Sequence, residues 1–461
     1  MNRLNKMILS TILAVCTLPF ASCAGGNSHS TESHSTATGA HATSIAQTPG
    51  QTPGGVVNYP QSTAFDKIPA NAQKWIDNAS NPTSVLLTYD QIQEANKQIR
   101  GKCSALKDIE NHKTSMPASE VKALIEASSG PSLPKYDNNG NTISQAKYEE
   151  IKNNRNVSAL SGEITLKRAV TVQRTDVRAL PTAIEFYNNS NKQDHDRMQE
   201  TELAAASAVL VLHTSVDGKF YFIQSYYYTG WVDVNNVAIA TDDSYHIWQT
   251  YAKLLNMSEN ATKEINFAVI TDAQLNVGGI KLDMGTALPL SANQDRAASG
   301  NYRVILPAKA NDGTLNSVEA DVPVSASCVG YAQYTLRNFY VQAFKYSGTP
   351  YGWGGMHGNV DCSSFVLSVF KTFGFVFPRN TSQQNKVVGS AVNVENKTTD
   401  DKISMLNNTT APVVIYKSGH AMIYLGKISD THYIIHAPGG GYVCEESYNG
   451  FSSLISICQV G

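Results

Sequence analysis

The stretch from Tyr351 to Gln384 constrains this chain most. It opens with Tyr351-Gly352-Trp353-Gly354-Gly355, where three glycines in five positions favour an open loop over a regular element. Asp361-Cys362-Ser363-Ser364 follows, and helical periodicity begins at once. Phe365, Val366, Val369, Phe370 and Phe373 stand at i, i+1, i+4, i+5 and i+8, the spacing of one buried helix face. Pro378-Arg379-Asn380 then closes the run. Cys362 is thereby placed at or just before the first helical turn. There the unpaired amides and the positive end of the dipole favour a thiolate. A cysteine so placed is a candidate nucleophile.

The chain has 461 residues, which predicts roughly three or four domains. Its formal net charge of −2 gives no electrostatic reason to expect nucleic acid as a partner. Seven cysteines in so long a chain do not make a disulfide framework, and no Cys-x-x-Cys pair suggests a metal. Cys444 and Cys458 lie in strand-like surroundings near the end and are read either as a disulfide or as two buried thiols.

Arg3 and Lys6 precede an apolar run from Met7 to Phe20 that is too short to span a bilayer, the pattern of a secretory signal. Phe20-Ala21-Ser22-Cys23 resembles a bacterial lipobox, in which Cys23 becomes the lipidated first residue; the alternative is ordinary signal cleavage nearby. Both imply export to the cell envelope, the first with a membrane anchor. Residues 23–58 repeat Ser-His-Ser-Thr and Gln-Thr-Pro-Gly, a low-complexity composition expected of a tether. His29, His34 and His41 within it lack acidic or thiol partners at fixed spacing, which argues against a metal site.

Structure is expected from Pro60. Tyr89, Ile92, Ile99, Leu106 and Ile109 predict one amphipathic helix, with Cys103 packed on it, and Val121, Leu124 and Ile125 a second that starts near Pro117. From residue 156 to 325 short β-branched and aromatic runs predict an all-β region, and about 170 residues suit two small barrels better than one large one. Val216-Asp217-Gly218-Lys219 reads as a hairpin turn. Tyr226, Tyr227, Tyr228 and Trp231 read as barrel core and rim, or as the lining of a ligand groove. From residue 329 helices precede strands, an α+β layout with an antiparallel sheet.

A cysteine hydrolase needs a base beside the thiol and a group that orients the base. His420 follows a glycine turn at a strand start, and His436 ends the next strand. Counting back from a turn at Ser429-Asp430 places the two at roughly opposite levels, within cross-strand reach. His420 is the expected base and His436 its orienting partner; His432, beside the turn, is expected to face solvent.

Pro350-Tyr351-Gly352-Trp353-Gly354-Gly355, Asp361-Cys362-Ser363-Ser364, Pro378-Arg379-Asn380, Gly419-His420-Ala421 and His436 resemble, in order, the motifs of the NlpC family of papain-like murein peptidases. Ala70–Ile76 and Leu86–Asn96 resemble the family's N-terminal stabilising domain. Arg178-Ala179-Leu180-Pro181-Thr182 with Gly230-Trp231-Val232, and Met284-Gly285-Thr286-Ala287-Leu288-Pro289, resemble two bacterial SH3-like domains. After the signal peptide (1–22) and tether (23–58) read from composition, the resemblance implies a multidomain fold: helical stabilising domain 59–155, all-β SH3-like barrels at 156–240 and 241–328, and an α+β papain-like domain at 329–461. It also implies cleavage of muropeptides with a free N-terminal L-Ala between γ-D-Glu and L-Lys or meso-diaminopimelate, with no metal or organic cofactor. Asp361 and Ser363 would read the substrate amine, and Tyr351 would contribute to the oxyanion or positioning site. A carboxylate beside a thiolate raises the thiol pKa, so Asp361 makes most sense if a substrate ammonium neutralises it; capping of the helix is its simpler role. Competing readings are another amide hydrolase or acyltransferase on the same fold, and a non-catalytic wall-binding lipoprotein.

Overall fold

The computed structural model describes residues 59–191, 195–256 and 264–461. The signal segment, the tether and the Cys23 lipidation site lie outside the described residues. No helix among the described residues is long and apolar enough to cross a membrane.

The C-terminal region is built around the helix Cys362–Lys371, packed on a six-stranded antiparallel sheet. Strand order across that sheet is Ser390–Asn393, Ser456–Gln459, Val413–Lys417, His420–Ile428, Thr431–His436, Cys444–Ser447. Phe365, Val366, Val369, Phe370 and Phe373 are fully buried, as their spacing predicts. Each contributes roughly 1.5–3 kcal/mol of transfer free energy. A second helix, Leu336–Phe344, shares this core.

Cys444 and Cys458 are free thiols, which removes the disulfide alternative. Cys458 is on the second strand and Cys444 on the sixth, with three strands between them. Four inter-strand steps are roughly 19 Å, far beyond what a disulfide spans.

The helices Ala70–Asn78, Tyr89–Lys102, Ala118–Ala127 and Gln145–Asn153 place their buried residues in three different cores. Trp75, Ile92 and Ile99 join the core of the cysteine helix, whereas Val121 and Ile125 join that of the β-rich region at 166–322. Asn96 seals the first contact from both sides of its amide. Its Nδ2 donates to the Gly374 carbonyl and its Oδ1 accepts from the Val376 amide, both at 2.8 Å. The Tyr89 helix ends at Lys102, so Leu106 and Ile109 lie beyond it rather than on it.

Residues 167–239 hold a seven-stranded antiparallel sheet, where the first barrel is expected. The expected hairpin joins Ala208–Thr214 to Phe220–Gln224, and Trp231 is fully buried. The following stretch is not all strand. Tyr245–Asn256 is a helix that buries Ile247, Trp248, Tyr251, Ala252 and Leu255, and a three-stranded sheet centred on Phe267–Ile270 comes after it. The helical spacing of those side chains is present in the sequence, flanked by β-branched runs.

Candidate active site

Asp361 is the N-cap of the cysteine helix, and its Oδ1 accepts from the amides of Ser363 at 3.1 Å and Ser364 at 2.9 Å. Cys362 is therefore the first helical residue, 6% exposed. Its Sγ lies 4.0 Å from the Gly419 carbonyl oxygen and 3.9 Å from Thr381 Oγ1, and the Ala421 amide is directed at it. The thiol thus rests against the backbone on either side of His420.

His420 Nε2 stands 2.7 Å from His436 Nδ1. Ile423 pairs with Ile435 across the two strands, which sets His436 diagonal to His420 near the open end of the hairpin. With Nε2 engaged by His436, the remaining His420 nitrogen for proton exchange with a thiol is Nδ1. His432 departs from expectation. It is buried and its Nδ1 pairs with Tyr424 Oη at 2.7 Å, so it packs inside the hairpin instead of facing solvent.

Burial, and after it Asp361, raise the Cys362 thiol above its ordinary pKa. The Ala421 amide, Thr381 and Arg379 pull the other way without reversing the shift. Burial, His436 and Lys417 push His420 down to about 4. The resting pair is accordingly a neutral thiol beside a neutral imidazole, and the thiolate preference expected from the helix start alone is outweighed by desolvation.

Asp361 already has a cationic partner. Arg379 Nη1 donates to its Oδ1 at 3.0 Å and Nη2 to its Oδ2 at 2.6 Å. Burial alone would raise this carboxyl; Arg379 and the Ser364 contacts outweigh it and hold the group below the usual carboxylate range. Ser363 Oγ also accepts from Arg379, at 2.9 Å. The neutralising charge that a substrate ammonium was expected to supply is thus provided by Arg379, and the capping role of Asp361 is visible beside it. Arg379 stands within the Pro378-Arg379-Asn380 motif, but nothing in the local sequence assigns it this role.

The barrel supplies the rest of the wall. Its strand Gln199–Leu203 lies along the glycine loop. Trp353 Nε1 donates to the Gln199 carbonyl at 3.2 Å, and Gln199 Nε2 donates to the Gly354 carbonyl at 3.0 Å. Thr201 Oγ1 accepts from Arg379 Nε, and Glu202 Oε2 lies 3.4 Å from Arg379 Nη2. Gly355 has φ +85°, and a Cβ there would fall 2.1 Å from Glu202 Oε2, so this approach needs glycine. Arg174 donates to the Gly355 and Asn359 carbonyls and to Asp283 Oδ2. Tyr351, half-buried, feels the charges of Asp361 and Cys362; burial first and then these two raise its hydroxyl pKa. Tyr228 Oη donates to Glu200 Oε2, while Tyr226 and Tyr227 are buried.

Residues 348–456 match the NlpC/P60 family, and residues 186–233 match an SH3 domain of SH3b1 type. The chain is 26% identical over 182 residues to a γ-D-glutamyl-L-lysine dipeptidyl-peptidase from Bacillus cereus. That match covers 37% of this chain and half of the relative's length. In fold it is similar to an NlpC/P60 endopeptidase from Photobacterium damselae subsp. piscicida, with TM-score 0.62, 17% identity, and coverage of 86% of this chain and 90% of the other.

Proposed function

From a C-terminal domain that belongs to the NlpC/P60 family, whose members are cysteine peptidases, we propose that the chain is a cell-wall peptide endopeptidase with Cys362, His420 and His436 as its catalytic set. The observation that carries this reading is the 2.7 Å contact between His420 Nε2 and His436 Nδ1 beside a thiol at a helix start. Cys362 Sγ attacks the scissile carbonyl while His420 Nδ1 takes the thiol proton. The resulting imidazolium donates from Nε2 to His436 Nδ1, then returns its proton from Nδ1 to the leaving amine. Water cleaves the acyl-enzyme in a second pass through the same groups.

The finer reading is hydrolysis of the γ-D-glutamyl–L-diamino acid bond in muropeptides with a free N-terminal L-Ala. The name of the Bacillus cereus relative supports the bond, and the barrel strand closing one end of the glycine loop supports a site that takes peptide termini. With Asp361 and Ser363 held by Arg379, the Glu200 carboxylate beside Tyr228 is a further acceptor for the amine. Envelope location through a lipid at Cys23 belongs to the same proposal, and release of a Cys23→Ser variant from membranes tests it.

Purified protein is expected to cleave L-Ala-γ-D-Glu-L-Lys or its diaminopimelate counterpart, read by mass spectrometry, and Cys362→Ala to abolish cleavage. Undiminished turnover in that variant would overturn the mechanism. Indifference to N-acetylation of the substrate would remove the free-amine requirement alone.

A further inference from the structure

We propose that His436, Cys444 and Glu446 form a binding site for a zinc-class divalent cation, and that its occupancy switches off the His420–His436 pair. One ligand atom from each of the three lies within 4.8 Å of the others. Sheet register produces this grouping. Cys444 stands directly opposite His436 in the antiparallel pair, and Glu446, two residues along the same strand, faces the same side. Cys444–Ser447 is the last strand of the sheet, so the cluster opens at an edge where an ion can enter.

An independent observation points to a ligand. His436 is 6% exposed, and its Nε2 is buried without a hydrogen-bond partner among the described residues. Glu446 Oε1 is close, at 3.2 Å, but out of line for a hydrogen bond. For two ligands of one metal, however, the separation is suitable: nitrogen and oxygen at about 2.0–2.1 Å from a tetrahedral ion stand roughly 3.3 Å apart. An imidazole, a thiolate and a carboxylate form a mixed nitrogen, sulfur and oxygen set that favours zinc over the hard cations. Water fills the fourth position.

The consequence runs through the other ring nitrogen and rests on the catalytic roles proposed above. A metal on Nε2 requires the His436 proton to sit on Nδ1, aimed at His420 Nε2. His420 must then present a lone pair at Nε2 and carry its own proton on Nδ1, the nitrogen that has to accept the thiol proton. In protons, Cys444 releases one to solvent on becoming a thiolate. His436 releases its Nε2 proton to solvent and gains at Nδ1 the one that His420 held at Nε2, and His420 takes one from solvent at Nδ1. The base is thus held in the wrong tautomer without any movement of Cys362.

Binding is tested on full-length Cys362→Ser protein, so that the nucleophile cannot supply the thiolate. Zinc titrated against a chromophoric chelator should load one ion per chain. Adding Cys444→Ser or Glu446→Gln should weaken this by at least about tenfold, the scale of losing a metal-site contact. Cobalt should give a thiolate charge-transfer band that disappears with Cys444→Ser. No zinc binding in Cys362→Ser, or unchanged binding after Cys444→Ser is added, overturns the site. In otherwise wild-type protein, zinc should inhibit peptide cleavage reversibly. Cys444→Ser should need at least about tenfold more zinc for the same fractional inhibition, each protein compared with its own chelator-treated rate. Equal sensitivity of the two overturns the switch. If the unmodified protein cleaves no peptide at all, the proposed function fails while the binding arms still decide the site.

Discussion

Arg379 grips both carboxylate oxygens of Asp361, 18 positions earlier in the chain, at 3.0 and 2.6 Å, and both side chains are buried. The pair ties the start of the cysteine helix to the segment that leaves its far end, and Thr201 and Glu202 extend it into the barrel. Removing one partner strands the other charge out of water. Arg379→Met should cost about 3–5 kcal/mol. Urea unfolding should show a lower midpoint with an unchanged slope, and Asp361→Asn added to Arg379→Met should recover part of the loss. Because Asp361 is held below the usual carboxylate range, its contribution is complete above that range and is lost as pH falls through the depressed value. A wild-type midpoint in Arg379→Met would show that the pair does not support the fold.

The second prediction concerns pH. His420 has to be neutral to accept the thiol proton, and it is pushed down to about 4. Activity should therefore persist well below the ordinary histidine range, and kcat/KM should fall as pH drops through about 4 and the imidazole becomes charged. Cys362, raised by burial, should show iodoacetamide alkylation that climbs on the alkaline side with no thiolate plateau near neutrality. A kcat/KM profile over about pH 3–10, with circular dichroism to exclude unfolding, checks both. An acid limb at the ordinary histidine value would contradict the neutral pair.

Local periodicity carried most of what was legible in the sequence. Phe365 to Phe373 marked the cysteine helix because a 3.6-residue period survives in a short window, and counting from the Ser429 turn brought His420 and His436 together. Tertiary effects account for the misses. Leu106 and Ile109 extend the apolar rhythm past the end of their helix because each fills a neighbouring core. Ile247, Trp248 and Tyr251 keep helical spacing but sit among strand-like runs. His432 found a buried partner in Tyr424 across the hairpin. Arg379 meets Glu202 from 177 positions away, and such a contact leaves no trace in local pattern.

The glycine loop gives a third test. Gly352 has an ordinary extended backbone, so space rather than conformation requires glycine there. A Cβ would meet the Met356 carbonyl oxygen at 2.4 Å and Asn359 Cβ at 2.8 Å. Gly352→Ala must open this turn, and with it the run that delivers Cys362. A displacement on the order of 1 Å at a nucleophile costs about 10²-fold in rate. The expected result is a kcat loss of that order in a protein that still folds. Gly439→Ala, whose Cβ points into open space, should behave as wild type. Equal activity of the two variants would mean that the loop does not set the position of the thiol.

Arg174 provides the fourth. Its guanidinium joins three parts of the chain, donating at 2.8 Å to the Gly355 carbonyl, at 3.1 Å to the Asn359 carbonyl and at 3.0 Å to Asp283 Oδ2, with Glu202 at 3.9 Å. Burial raises the Asp283 carboxyl above its ordinary value even with Arg174 pulling it down. Arg174→Ala removes that pull, so the carboxyl must rise further. A group with a raised folded pKa binds its proton more tightly when folded. Its ionisation therefore penalises folding above that pKa, and the penalty is relieved as pH falls through it. Arg174→Ala should lose about 3–5 kcal/mol at neutral pH and less in mildly acidic buffer. Adding Asp283→Asn should flatten the difference. Paired urea curves at the two pH values decide the matter, because loss of the carbonyl contacts alone would give a pH-independent cost. A constant deficit would assign the role of Arg174 to the glycine loop, and a shrinking one to the buried charge it neutralises.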